Sequence, residues 1–155
     1  MSSSLDHTDL YILEKMQSNA RVSNADLARD LEMAPSAVLE RVKKLESRKI
    51  ITGYKTGINP DSVGQGMLAF IFVRATEGLG SSLSGHAFSR IPEVQEVHQV
   101  AGEDCYLVKV RTANTASLVA LMRNKFSKIP NIVSTKTTIV LQTIKEENSL
   151  MIPKK

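Results

Sequence analysis

Apolar residues recur at helical spacing three times within the first 47 residues. Leu10, Leu13 and Met16, with Ile12 alongside, make one stripe. Leu27, Ala28 and Leu31 make a second, and Val38, Val42 and Leu45, at i, i+4 and i+7, make a third. Each run has a start signal. Asp6 is suited to cap the first helix, with Asp9 near its positive end. Ser23 caps the second, with Asp26 at its third position, and Pro35 suits the first turn of the third, where a missing N–H costs nothing. The stretch from Asn19 to Val22 ends the first helix. The stretch from Glu32 to Pro35 interrupts the second, leaving it about two turns long. The β-branched run from Ile50 to Thr56, with Gly53 at its centre, predicts a short strand or wing.

Beyond residue 66 the pattern changes to strands alternating with helices. Met67–Ala75 reads as a buried strand, and Gly80–Arg90 as a helix with Leu83, Ala87 and Phe88 inward. Val94, Val97 and Val100 lie on a second strand. Cys105–Arg111 is a third, with Tyr106, Val108 and Val110 alternating against Leu107, Lys109 and Arg111. Residues 101–104 form a tight hairpin between them. Asn114 or Thr115 caps a second helix carrying Leu118, Leu121, Met122 and Phe126, and Val133–Thr143 is the last strand. An internal repeat supports this order: Phe88-Ser-Arg-Ile-Pro-Glu-Val94 returns 38 residues later as Phe126-Ser-Lys-Ile-Pro-Asn-Ile132. In each copy the proline breaks a helix and the apolar residue two positions on starts a strand. The result is βαββαβ, a ferredoxin-like α+β sandwich. Helices cover one face of its antiparallel sheet, and homodimerisation is the simple way to cover the other.

These patterns divide the chain into a helix-turn-helix head (1–55), a linker rich in glycine (56–66), the sandwich (67–144) and a tail (145–155). The net charge of +4 adds a functional clue through its location, because Arg41, Lys43, Lys44, Arg48, Lys49 and Lys55, set against Glu40 and Glu46, carry all of it. Ser36, Ala37, Glu40, Lys43 and Lys44 fall opposite the buried stripe of the third helix, with Arg41 on its flank. Small residues at the start of such a helix let its backbone approach the major groove. The longer side chains, and Lys55 beyond the helix, then reach base edges and phosphates of double-stranded DNA. Cys105 is the only cysteine, which excludes an internal disulfide and a cysteine zinc site, and the three histidines lie far apart. No metal, cofactor or catalytic constellation is expected. The lack of a long apolar run or a secretory signal leads to the expectation of a cytoplasmic protein that engages no membrane.

The motifs LDHTDLYIL at 5–13, RVSNADLARDL at 21–31, APSAVLERVKKLESRKIITGY at 34–54, IPEVQEVHQVAGEDCYLVKVR at 91–111 and IPNIVSTKTTIVL at 129–141, in this order, resemble the Lrp/AsnC (feast/famine) family of transcriptional regulators. The resemblance implies a winged or plain helix-turn-helix domain joined to an ACT-like sandwich. It also implies DNA binding by homodimers that assemble into tetramers or octamers, and an amino-acid effector held between dimers. Carried over, the effector positions are Gly102, Glu103, Asp104 and Cys105 at the hairpin and Thr135, Thr137 and Thr138 on the last strand. The hairpin departs from the family pattern, since Cys105 stands where many members have Asp, so either ligand choice differs or no effector binds. Two other readings stay open: a DNA-architectural protein with little sequence choice, and an amino-acid-binding regulatory subunit of an enzyme. The second leaves the basic head unexplained.

Overall fold

The computed structural model describes residues 5–77, 81–103 and 105–153. The chain forms two compact units. Residues up to Gly57, together with those from Lys145 onward, make the first, and Ile58–Ile144 makes the second.

Three helices build the head: α1 (His7–Ser18), α2 (Asn24–Asp30) and α3 (Pro35–Ser47). Asp6 and Asp9 cap α1 reciprocally, each side chain accepting the other's backbone N–H. Ser23 accepts the Asp26 N–H at 3.0 Å and donates its hydroxyl to the Asp26 carboxylate at 2.6 Å. Ile12, Leu27, Val38 and Leu45 are fully buried, with Leu13, Met16 and Leu31 only partly so. Ile12 is therefore the central residue of α1 rather than a flanking one. Both α2 and α3 end on a left-handed residue that is not glycine, Glu32 (φ 52) and Lys49 (φ 58). The carbonyls of Ala28 and Leu45 accept the N–H groups of Met33 and Ile50, each at 2.9 Å, which closes the two helix ends. The strand expected over 50–56 is not formed. These residues make no ladder bond, and Tyr54 is instead fixed by donating its hydroxyl to Glu46 at 2.7 Å.

The second unit begins with a 3-10 turn, Asp61–Val63, followed by β1 (Met67–Ala75), α4 (Leu83–Ser89), β2 (Val94–Gln99), β3 (Tyr106–Thr112), α5 (Thr115–Asn124), a 3-10 turn at Phe126–Lys128, and β4 (Ile132–Ile139). The four strands lie antiparallel in the order β2-β3-β1-β4, the ferredoxin-like arrangement expected from the repeat. Ala69, Ile71 and Val73 on β1 and Tyr106, Val108 and Val110 on β3 face the helices and meet Phe88, Leu118, Leu121 and Phe126. The repeat's equivalent residues Phe88 and Phe126 touch, with ring centroids 4.8 Å apart.

α4 differs from its expected form. It is shorter, Gly80 lies outside the described residues, and Leu83 is 71% exposed while Ser84, Gly85 and Phe88 are buried. The cause is the Glu77 carboxylate, which accepts the Ser84 N–H at 2.6 Å and the hydroxyl of the buried Tyr106 at 2.9 Å. That anchor turns Gly85 inward, where a Cβ would stand 2.8 Å from Cε1 of Tyr106. β4 also ends earlier than expected, with one further bond from the Val140 N–H to the Leu68 carbonyl. The face away from the helices carries half-buried Phe70, Phe72 and Leu107. Lys136 lies 5.0 Å over the Phe72 ring, and Lys109 pairs with Glu96 at 3.1 Å.

Candidate DNA-reading helix and ligand groove

Pro35 starts α3 with Ala34 as its cap, which makes no side-chain hydrogen bond to the helix start. Val38, Val42 and Leu45 bury one face, which leaves Ser36, Glu40, Lys43 and Lys44 exposed and Ala37 half-exposed on the other. Lys55 is exposed beyond the helix. Small residues thus occupy the first turn and two lysines the third, the distribution a groove-reading helix requires.

Arg41, expected from the sequence to meet phosphate, is engaged within the head. Its Nη1 donates to Oδ2 of Asp6 at 2.7 Å and to Oδ1 of Asp9 at 2.8 Å. Those bonds, Asp6 first and Asp9 next, raise the guanidinium above its ordinary pKa against the opposing effect of burial. Asp6 is held below the usual carboxylate value, first by the Asp9 backbone N–H and then by Arg41. A guanidinium satisfied by two carboxylates is neutralised where it stands. It clamps the start of α1 to α3. At the other end of α3, desolvation and then the Glu46 carboxylate push the Tyr54 hydroxyl up to about 12, so this bond keeps its proton at neutral pH.

On the second unit, α5 and β4 enclose a groove of about 650 Å³. Leu118, Val119, Met122, Phe126, Ile132, Val133 and Ile139 supply an apolar lining, with Thr115, Arg123, Ser127, Ser134, Thr135 and Thr137 as its polar groups. Register explains the threonines. Thr135 pairs with Val73 and Thr137 with Ile71, both on the helix-covered face. Thr138 pairs with Phe70 and belongs to the opposite face, so it does not join them. The hairpin joins β2 to β3, and β1 lies between β3 and β4. Gly102 (φ 131) and Glu103 are exposed there, and Asp104 lies outside the described residues. Cys105 is half-buried. Its N–H donates to the Val73 carbonyl at 2.8 Å, and its Sγ lies 3.4 Å from both the N–H and the carbonyl oxygen of Ala75. Cys105 and Thr135 therefore flank the same residue of β1, Val73.

Comparison with known proteins matches residues 5–46 to the AsnC-type helix-turn-helix domain and residues 68–150 to the Lrp/AsnC ligand binding domain. The chain belongs to the Lrp/AsnC family. It is a transcriptional regulator with a helix-turn-helix domain and a ligand-binding domain. It is 31% identical over 150 residues to the leucine-responsive regulatory protein of Haemophilus influenzae, covering 96% of this chain and 90% of that one. Among solved structures, it is similar to the transcriptional regulator NMB0573 from Neisseria meningitidis, in complex with L-methionine. That match has a TM-score of 0.87 and 28% identity, and covers 96% of this chain and 97% of the other. It is also similar to the feast or famine regulatory protein Rv3291c from M. tuberculosis, complexed with L-methionine, with a TM-score of 0.88, 30% identity, and coverage of 97% of this chain and all of the other.

As an Lrp/AsnC regulator, the chain holds residues that sequence reasoning passed over. Leu39, 40% exposed on the outer side of α3, is one. Arg123, Val119 and Ser127 of the groove are others. The groove left a trace in the sequence: Thr115, Val119 and Arg123 recur at i, i+4 and i+8, a second stripe of α5 beside its core stripe. Glu77 left no such trace, since a single acid after a strand reads as an ordinary loop residue. Among the described residues, no helix is long and apolar enough to cross a membrane.

Proposed function

We propose that this regulator binds double-stranded DNA sequence-specifically through α3 and that an apolar amino acid modulates it. Ser36, Ala37 and Glu40 read bases, and Lys43, Lys44 and Lys55 neutralise phosphates. Arg41 contributes by holding α3 in place. The observation that carries this is the solvent face of α3: small and polar at its start, lysine-rich later, and unobstructed because Arg41 is paired to α1.

The chain works in the cytoplasm as a homodimer that assembles further into tetramers or octamers. The half-buried aromatic face of the sheet supports pairing. The groove favours an effector with an aliphatic side chain, held by Leu118, Met122 and Ile139, with Arg123 suited to its carboxylate. The relatives named for leucine response and crystallised with L-methionine support this class. Gly102, Glu103, Asp104 and Cys105 at the hairpin join Thr135 and Thr137 as effector positions, a role that the match to the ligand binding domain supports, and Thr138 serves the dimer face instead. The family relationship supports a regulator rather than an enzyme, with no cofactor.

Two titrations test the reading: operator selection from random DNA, and calorimetry with L-methionine, L-leucine and L-aspartate. Enrichment of one pseudo-palindromic site, with binding of an aliphatic amino acid but not of aspartate, is expected. Equal affinity for random DNA overturns the sequence-specific part, and a preference for aspartate overturns the groove assignment.

A further inference from the structure

Neither DNA reading nor the ligand groove makes use of the C-terminal segment. The chain passes from the first unit to the second between Gly57 and Ile58, and returns between Ile144 and Lys145. Residues from Lys145 onward therefore pack with the head, although only residues 140–144 separate them from the last strand of the sheet.

The contact is made through backbone. Gln17, in the last turn of α1, donates from Nε2 to the Leu150 carbonyl at 2.7 Å and accepts the Leu150 N–H on Oε1 at 2.7 Å. A primary amide presents a donor and an acceptor side by side, matching the N–H and C=O of one residue in an extended chain. The side chains of Leu150 and Met151 stay exposed, while Ile152 is half-buried. The seat therefore depends on the amide at position 17 more than on the identity of residue 150.

We infer that the C-terminal segment is a strap that docks on α1 through Gln17 and gives the head a second attachment to the body, beside the linker. A chain segment held at both ends samples less space than one held at a single end. Because the strap is part of the same chain, its high effective concentration sustains even a solvent-exposed contact. β4, which lines the groove with Thr135 and Thr137, leads straight into the strap through residues 140–149. The strap limits head motion whichever operator or effector the protein takes.

The test uses the full-length chain and amide hydrogen exchange read residue by residue by NMR. Leu150 exchanges slowly in the wild type, and Gln17→Ala speeds it at least tenfold while Leu45 and Val108 stay unchanged. Gln17→Glu keeps the acceptor for the Leu150 N–H but, when ionised, faces the carbonyl without a donor, so it lies between the two. Nitrogen-15 relaxation then shows the head reorienting faster in Gln17→Ala, and in a chain ended after Ile144, with the Ile12 and Val42 amides still protected. Equal Leu150 exchange in wild type and Gln17→Ala overturns the docking. Head relaxation that does not change when the contact is lost overturns the strap.

Discussion

Arg41 of α3 and Asp9 of α1 meet at 2.8 Å, with Asp6 sharing the same guanidinium nitrogen at 2.7 Å. The pair joins α3, the proposed DNA-reading helix, to the cap of α1. A side chain that charge placement assigns to phosphate is paired within the head.

Arg41→Ala therefore lowers the stability of the head, by roughly 1–2 kcal/mol for charge-assisted bonds that remain partly exposed. Thermal unfolding followed by circular dichroism checks this. An Asp6→Asn variant is predicted to lose part of the same stabilisation.

Asp6 also gives the clamp a pH dependence. Its pKa in the folded head is depressed, by the Asp9 N–H and then by Arg41, from an ordinary value of 3.8. Its contribution is complete above that value and is lost as pH falls through the lower, folded value. Acid unfolding of the wild-type head is predicted to steepen below about pH 4, and Asp6→Asn flattens that limb of the curve.

Gly85→Ala tests how the second unit is packed. The added Cβ meets Cε1 of the fully packed Tyr106 at 2.8 Å, and overpacking of this kind costs about 1–3 kcal/mol. Denaturant unfolding is predicted to shift for this unit. The same anchor predicts that Glu77→Ala destabilises it. There the Ser84 and Tyr106 bonds hold the carboxyl below its usual pKa even though desolvation, the largest single influence, pushes it up.

Glu32→Gly is predicted to stabilise the head by about 0.5–1 kcal/mol, since Glu32 sits at φ 52, where glycine pays no Cβ penalty. Thermal melts of the two proteins decide this. In the sequence only the stretch from Glu32 to Pro35 marks the end of α2, because no glycine stands there.

Periodicity and the 38-residue repeat made most of the fold legible. Val38, Val42 and Leu45 announce α3 because they satisfy a local geometric rule, and Phe88 and Phe126 meet in the core as equivalent residues should. The features that were not legible depend on contacts distant in the chain. Leu83 carries an apolar side chain at a helical position and stays in solvent, because Glu77 and Tyr106 set the rotation of α4. Arg41 looks like its neighbours Lys43 and Lys44 until α1 folds against it. Thr137 and Thr138 are adjacent in sequence, but strand alternation sends them to opposite faces. The segment 50–56 has strand-forming residues and, among the described residues, no strand to pair with.

The central claim is that Lys43 and Lys44 meet phosphate while Arg41 positions the helix, and the salt dependence of DNA affinity separates these roles most directly. With each phosphate contact contributing about 0.9 to the slope of log K against log salt, Lys43→Ala combined with Lys44→Ala is predicted to flatten the slope by close to two units. Arg41→Ala, measured below its lowered melting temperature, is predicted to keep the wild-type slope. A lysine double variant with the wild-type slope, or an Arg41→Ala slope flattened by a full unit, contradicts the account.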